Sequence, residues 1–129
     1  MKILLDTSAY VGFKVGVNEV VEIVAGADRI FFSPVVLGEL MFGFRNGTKF
    51  RENMEELDQF LRHGAVEFIQ IGKVTADRYS RIASYLKQQG TPIPTNDIWI
   101  AAQTMECGAE LITSDRHFEK VSGLVCTIV

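Results

Sequence analysis

The apolar residues of the chain fall into short continuous runs and longer stretches with a three-to-four-residue step. The continuous runs read as buried strands: Lys2–Leu5, Arg29–Phe32, Val66–Ile71, Glu110–Thr113 and Leu124–Ile128. The stepped stretches read as helices. Val17, Val20, Val21 and Val24 form one, closed by Gly26. Ser33-Pro34 sets an N-cap and a proline at the first helical position, and Val36, Leu37, Leu40, Met41 and Phe44 continue that helix to Gly47. Phe50, Met54, Leu57, Phe60 and Leu61 form the next, ending near Gly64. Thr75 is expected to cap a helix that carries Ala76, Tyr79, Ile82, Ala83 and Leu86 and stops at Gly90. After the stiff loop "TPIPTND", Thr95 is expected to cap a helix from Asn96 to about Cys107.

Strands that alternate with helices predict an α/β fold, a three-layer α/β/α sandwich around a mostly parallel sheet. The two consecutive helices at 34–47 and 49–63 make it a variant of the doubly wound theme. At 129 residues and 47% hydrophobic composition, the chain is expected to fold as a single domain spanning 1–129. No run approaches the length of a membrane span, and the apolar run after Lys2 is too short for a secretory signal, so a cytoplasmic protein is expected. Cys107 and Cys126 lie far apart and form no C-x-x-C pair, which points to free thiols rather than a disulfide or zinc site. The net charge of −3 argues against a protein that holds nucleic acid by bulk basicity. A nucleic-acid enzyme whose acidic site meets phosphate through cations remains open.

Most of the sixteen acidic residues lie on solvated helix faces, such as Glu52, Glu55, Glu56 and Asp58. Four do not. Asp6 ends the first strand and is followed by Thr7 and Ser8. Glu39 sits inside the apolar helix "VVLGELMF". Asp97 is in the first turn of "NDIWIAA", and Asp115 follows the strand "ELIT". Each has a plain structural reading: Asp6 as a helix cap, Asp97 as an acid complementing a helix dipole, Asp115 as a turn former. Glu39 has no evident partner in so apolar a helix. A parallel sheet, however, brings its strand ends and the following helix starts to one edge, where open α/β folds place ligands. Two carboxylates 4 Å apart repel by about 4 kcal/mol at an effective dielectric near 20, so a converging set of four calls for a cation. All-oxygen ligands select a hard one, Mg²⁺ or Mn²⁺.

"ILLDTSAY", the glutamate of "SPVVLGELMFG", "IPTNDIWIAA" and "LITSDRHFEKV", in that order, resemble the PIN-domain ribonucleases, most closely the toxin (VapC-type) half of VapBC toxin–antitoxin pairs. The likeness runs from Lys2 to about Val121. It implies Mg²⁺- or Mn²⁺-dependent cleavage of RNA, a homodimer, and a small antitoxin that blocks the site. Carried over by position, it makes Asp6 and Asp97 the principal metal ligands, with Glu39 and Asp115 completing a catalytic pocket directly or through water. Thr7, Ser8, Thr113 and Ser114 would be hydroxyl neighbours that orient carboxylates, water or substrate; ordinary strand-end capping explains them equally well.

A cation held there would activate water for in-line attack on a phosphodiester and offset charge on the phosphate. Phosphate contacts could come from Arg116 and from Lys14, Arg45, Lys49 and Arg51, although each reads more readily as a solvated charge. Of the two histidines, His63 is expected at a helix end on the surface. His117 is expected on the surface too, with substrate contact as the sharper option. Trp99, Ile98 and Ile100 read as core, and some of Phe42, Phe44 and Phe50 as an interface. Two rivals remain. Haloacid-dehalogenase-type phosphatases want a second aspartate where this chain has Ser8, and a receiver domain wants adjacent acids near the N-terminus; neither pattern is present. A PIN-like module that binds RNA or protein without cleaving is the other alternative.

Overall fold

The computed structural model describes all 129 residues. Its elements run β1 (Lys2–Leu5), α1 (Thr7–Lys14), α2 (Asn18–Gly26), β2 (Arg29–Phe32), α3 (Pro34–Arg45), α4 (Phe50–Leu61), β3 (Val66–Phe68), α5 (Lys73–Gln89), α6 (Thr95–Glu106), β4 (Glu110–Thr113) and β5 (Cys126–Ile128), with a 3₁₀ turn at Arg116–Lys120. The five strands form one sheet in the order β3-β2-β1-β4-β5, and every pairing is parallel. The fold is thus the α/β sandwich that the strand–helix alternation predicts.

Hydrophobicity explains why β1 is central. Ile3, Leu4 and Leu5 are fully buried, as expected for a strand covered on both faces. Leu4, Phe31 and Leu111 point into the larger core with Val36 and Leu40 of α3, Leu86 of α5 and Ile100 of α6. Ile3, Leu5, Ile30 and Ile112 point the other way, onto Ile23 and Val24 of α2. The two faces alternate residue by residue, which fixes the register of a sheet buried on both sides.

Several element boundaries differ from the sequence reading. The segment after Asp6 is a helix, α1, whose Ala9 and Tyr10 are buried. β3 stops at Phe68 and β5 begins only at Cys126; both lie at the sheet edges, where one ladder of hydrogen bonds is missing and pairing ends early. Thr75 is not an N-cap. α5 starts two residues earlier, and Thr75 Oγ1 accepts from the Gly72 N–H at 3.1 Å from the third helical position. Thr95 is not a cap either: the helix opens with Thr95 itself, and the Asp97 and Ile98 N–H groups bond to the Pro94 carbonyl. No helix is long and apolar enough to cross a membrane.

The topology also creates a crevice. The chain leaves β1 toward β2 and β3, then returns to the opposite side of β1 as β4, so the connections diverge at the carboxyl ends of β1 and β4. Leu4, in the central strand and without exposure, tests the core that holds this arrangement. Leu4→Ala is expected to lower the unfolding free energy by about 2–5 kcal/mol, measured by urea denaturation.

Candidate active site

Asp6 stands at that crevice. Its backbone is extended and its N–H bonds to the Ile112 carbonyl at 3.2 Å, continuing the β1–β4 ladder by one step. The carboxylate is then claimed from three sides. Oδ1 accepts from the Ala9 N–H at 2.9 Å and the Ser8 hydroxyl at 2.7 Å, and Oδ2 accepts from the Thr113 hydroxyl. Asp6 therefore caps α1 and lines a pocket with the same side chain, so the two readings of this residue are not exclusive. Only 5% exposed, it has its pKa raised above the usual carboxylate range by burial, against the hydrogen bonds of Thr113, Ala9 and Ser8, with nearby Asp115 adding to the rise.

The pocket, about 270 Å³ in volume, is walled by Asp6, Thr7, Ser8, Glu39, Asp97 and Asp115, with Ile100 as its apolar side. Each acid arrives on a different element. Glu39 comes one turn into α3 and leaves the apolar stripe of that helix for the crevice; Thr7 donates to its Oε1 at 2.6 Å and Asn96 Nδ2 lies 3.4 Å from Oε2. Asp97 comes from the first turn of α6. Asp115 follows β4, caps the 3₁₀ turn by accepting from the His117 N–H at 2.9 Å, and has its own N–H on Thr113 Oγ1 at 2.9 Å. Thr113 thus links Asp6 to Asp115 through one hydroxyl. Ser8 does the same across the crevice, donating to Asp6 and accepting from the Ser114 N–H at 3.0 Å.

The electrostatics follow. Asp97 has its pKa pushed up to about 6, first by burial and then by Asp115, Glu39 and Asp6; His117 opposes the rise. A carboxyl group whose pKa is raised by burial and then by three neighbouring carboxylates sits in a pocket short of positive charge. The donor set is oxygen-rich and anionic, which fits a hard divalent cation. Ligand atoms of Asp97, Asp115 and His117 all lie within 4.8 Å of one another.

Two residues of the pocket rim were not legible as such. Asn96 appeared only as the residue before Asp97. His117, expected as a surface group, is half exposed, but its Nδ1 lies 3.0 Å from Asp115 and 3.9 Å from Asp97. The 3₁₀ turn folds it back over the acids, and nothing in the spacing of "SDRHF" announces that turn. The expected cation rim is largely engaged elsewhere. Arg116 is exposed and pairs with Glu119 at 2.9 Å. Lys14 bonds to Asn53, lies 3.5 Å from Glu56 and covers the Phe44 ring, and Arg45 stacks over Phe50. Lys49 and Arg51 are exposed. His63 sits at the surface, where its Nδ1 accepts from the Ala65 N–H and closes the turn after α4. Ile98 and Ile100 are core, whereas Trp99 is half-buried, stacked on Tyr79 at 4.1 Å between α5 and α6. Of the three phenylalanines, Phe44 is buried and Phe50 half-buried; Phe42 alone is open, at 70%, in a groove beside Glu39 and Asn96.

Asp97 yields a test of this electrostatics. Its folded pKa of about 6 exceeds the ordinary 3.8, so the protonated form is favoured by folding. The stability it contributes is full below about pH 4 and is lost as pH rises through 6. Asp97→Asn removes that loss. In the presence of EDTA, it is expected to raise the unfolding free energy by on the order of 1 kcal/mol at pH 7, with the gain vanishing below about pH 4, in urea melts across pH.

Known proteins are similar to this chain in sequence and in fold. The sequence profile described as "PIN domain" matches residues 3–124. The chain is 30% identical over 105 residues to Ribonuclease VapC2 of Rickettsia felis, covering 81% of this chain and 77% of the relative. It is 26% identical over 98 residues to Ribonuclease VapC1 of Haemophilus influenzae, covering 75% and 72%. Among solved structures, VapBC2 from Rickettsia felis bound to a DNA fragment from its promoter superposes with a TM-score of 0.83 at 26% identity, over 99% of this chain and 98% of the other. VapBC-1 from nontypeable Haemophilus influenzae gives a TM-score of 0.87 at 24% identity, with the same coverage. With residues 3–124 of its 129 inside the family profile, this protein belongs to the PIN domain family.

Proposed function

We propose that the chain is a divalent-cation-dependent endoribonuclease, the toxin of a type II toxin–antitoxin pair, working at the pocket of Asp6, Glu39, Asp97 and Asp115. The observation that carries this reading is the convergence of four carboxylates from four separate elements on one pocket, where burial and then their mutual repulsion raise Asp97 to about 6. No structural role needs that repulsion, because uncharged residues would cap and pack the same positions at lower cost. The ribonuclease names of the relatives from Rickettsia felis and Haemophilus influenzae support the same reaction class.

Mg²⁺ or Mn²⁺ would be held by Asp6 and Asp97, with Glu39 and Asp115 completing the set. When bound, the cation supplies Lewis-acid activation of water and offsets charge on the phosphate. The protein's contribution is preorganisation. Ser8, Thr113 and the Ala9 N–H hold both oxygens of Asp6, and Thr7 fixes one oxygen of Glu39, so the acids do not reorient as substrate arrives. Ile100 keeps one wall dry. Ser114 and Arg116, exposed on either side of Asp115, would be the residues to meet an RNA backbone. The reaction so supported is hydrolysis of the P–O3′ bond, in which water supplies the new oxygen and the 3′-oxygen leaves with a proton.

The partners follow from the same charge. An antitoxin that blocks the pocket needs positive charge to complement the four carboxylates, and the exposed Phe42 beside Glu39 gives such a segment, or a second copy of the chain in a homodimer, an apolar anchor. The solved VapBC complexes from Rickettsia felis and Haemophilus influenzae support an antitoxin partner.

End-labelled RNA incubated with Mg²⁺, Mn²⁺ or EDTA tests the reading. Cleavage is expected to need the cation, to leave 5′-phosphate and 3′-hydroxyl ends, and to fall by about two orders of magnitude in Asp97→Asn. Products ending in 2′,3′-cyclic phosphate, or cleavage that survives EDTA, would overturn it. RNA binding without any cleavage would favour the non-catalytic module instead.

A further inference from the structure

The imidazole folded over the acids has no role in a four-carboxylate site. Its Nδ1 lies 3.0 Å from Asp115 Oδ1, 3.1 Å from Asp115 Oδ2 and 3.9 Å from Asp97 Oδ2. An octahedral ion with bonds of about 2.1 Å separates its cis ligands by about 3 Å and its trans ligands by about 4.2 Å. The spacings of this nitrogen from the two carboxylates fall within that span without any movement of the backbone. His117 is also fixed from below, because its own N–H is donated to Asp115 and the 3₁₀ turn is anchored by the fully buried Phe118.

We infer that His117 is a metal ligand, and that Nδ1 joins oxygens of Asp97 and Asp115 on one face of the cation, tuning the pocket toward Mn²⁺ and away from Mg²⁺. This rests on the reading of the acidic pocket as a divalent-cation site. Ligation through Nδ1 places the ring proton on Nε2 and gives up the Nδ1 contact with Asp115. The selectivity follows from donor type. Mg²⁺ prefers oxygen and sheds water reluctantly, whereas Mn²⁺, a first-row transition ion, accepts an imidazole nitrogen more readily. Hydrogen-bonded acids beside the ligand, Asp6 and Glu39, serve either ion equally.

The opposing possibility has the opposite sign. If His117 were instead a positive charge paired with Asp97 and Asp115, it would compete with the cation, and its removal would tighten binding of both metals. The experiment uses the full chain at about pH 8, above the ordinary imidazole pKa of about 6.5, with Mn²⁺ and Mg²⁺ titrated calorimetrically and bound Mn²⁺ examined by electron-spin-echo envelope modulation. Wild type is expected to show nitrogen modulation that His117→Ala and His117→Gln both lose. Mn²⁺ affinity should fall by about tenfold in His117→Ala while Mg²⁺ affinity changes by less than about threefold. His117→Gln keeps the size of the side chain, so its loss of the nitrogen signal cannot come from a collapsed turn.

Absence of nitrogen modulation in wild type, an unchanged Mn²⁺/Mg²⁺ ratio, or tighter binding of both ions in His117→Ala would overturn the inference. Asp97→Asn separates its failure from that of the underlying reading. If Asp97→Asn abolishes Mn²⁺ binding while His117→Ala leaves it intact, only the histidine ligand is lost. If wild type binds neither ion, the cation site falls and the histidine ligand with it.

Discussion

The side chain of Asp6 is the constraint on which the rest of the site depends. It follows the central strand, caps the first helix through the Ala9 N–H, and accepts from the Thr113 hydroxyl at the end of the neighbouring strand. Those bonds join the end of β1 and the start of α1 to the end of β4, more than a hundred residues away. They act where the connections of the sheet diverge, so the crevice at the β1 and β4 ends has a rigid floor. Thr113 then passes the constraint on to Asp115, and Ser8 passes it to the backbone of Ser114. A buried carboxylate is costly unless its oxygens are satisfied, and here both are.

The same design leaves the other acids in tension. Burial pushes the Asp97 pKa up to about 6, and the charges of Asp115, Glu39 and Asp6 add to the rise. Folding energy from the two cores outweighs that repulsion. Leu4, Phe31 and Leu111 on one face and Ile3, Leu5 and Ile112 on the other hold the strands in register, and the helices carrying Glu39 and Asp97 are packed onto that sheet. The pocket is thus a locally unfavourable arrangement enforced by a favourable sheet, which is how a binding site differs from a surface cluster of acids. Hydrophobic packing sets the positions, and the charge it concentrates sets the chemistry.

Buried polar groups extend this enforcement beneath the site. Ser33 caps α3 by accepting from the Val35 N–H at 3.0 Å and donates its hydroxyl to Gln103 of α6, and both residues are fully buried. The helix bearing Glu39 and the helix bearing Asp97 are thereby tied together by a bond with no route to solvent. Such a bond is directional, so it fixes how the two helices are rotated as well as how far apart they lie. Oxygen spacing in the pocket follows from that rotation.

The sequence by itself determined the α/β alternation, a buried apolar run in the first strand, and the four acids that fall outside solvated helix faces. Those features are local: periodicity, caps and a carboxylate in an apolar run are visible within a few residues. Only the tertiary structure decided that Asp6 is cap and pocket wall together, because its second oxygen meets Thr113 across the sheet. It also decided that Thr7 serves Glu39, that Asn96 and His117 close the rim, and that Arg116 turns to Glu119. These contacts join segments whose separation in the chain carries no periodic signal, or depend on a 3₁₀ turn too short to leave one. Trp99 shows the same limit: hydrophobic character placed it inside, while the packing of α5 against α6 left it half-buried on Tyr79.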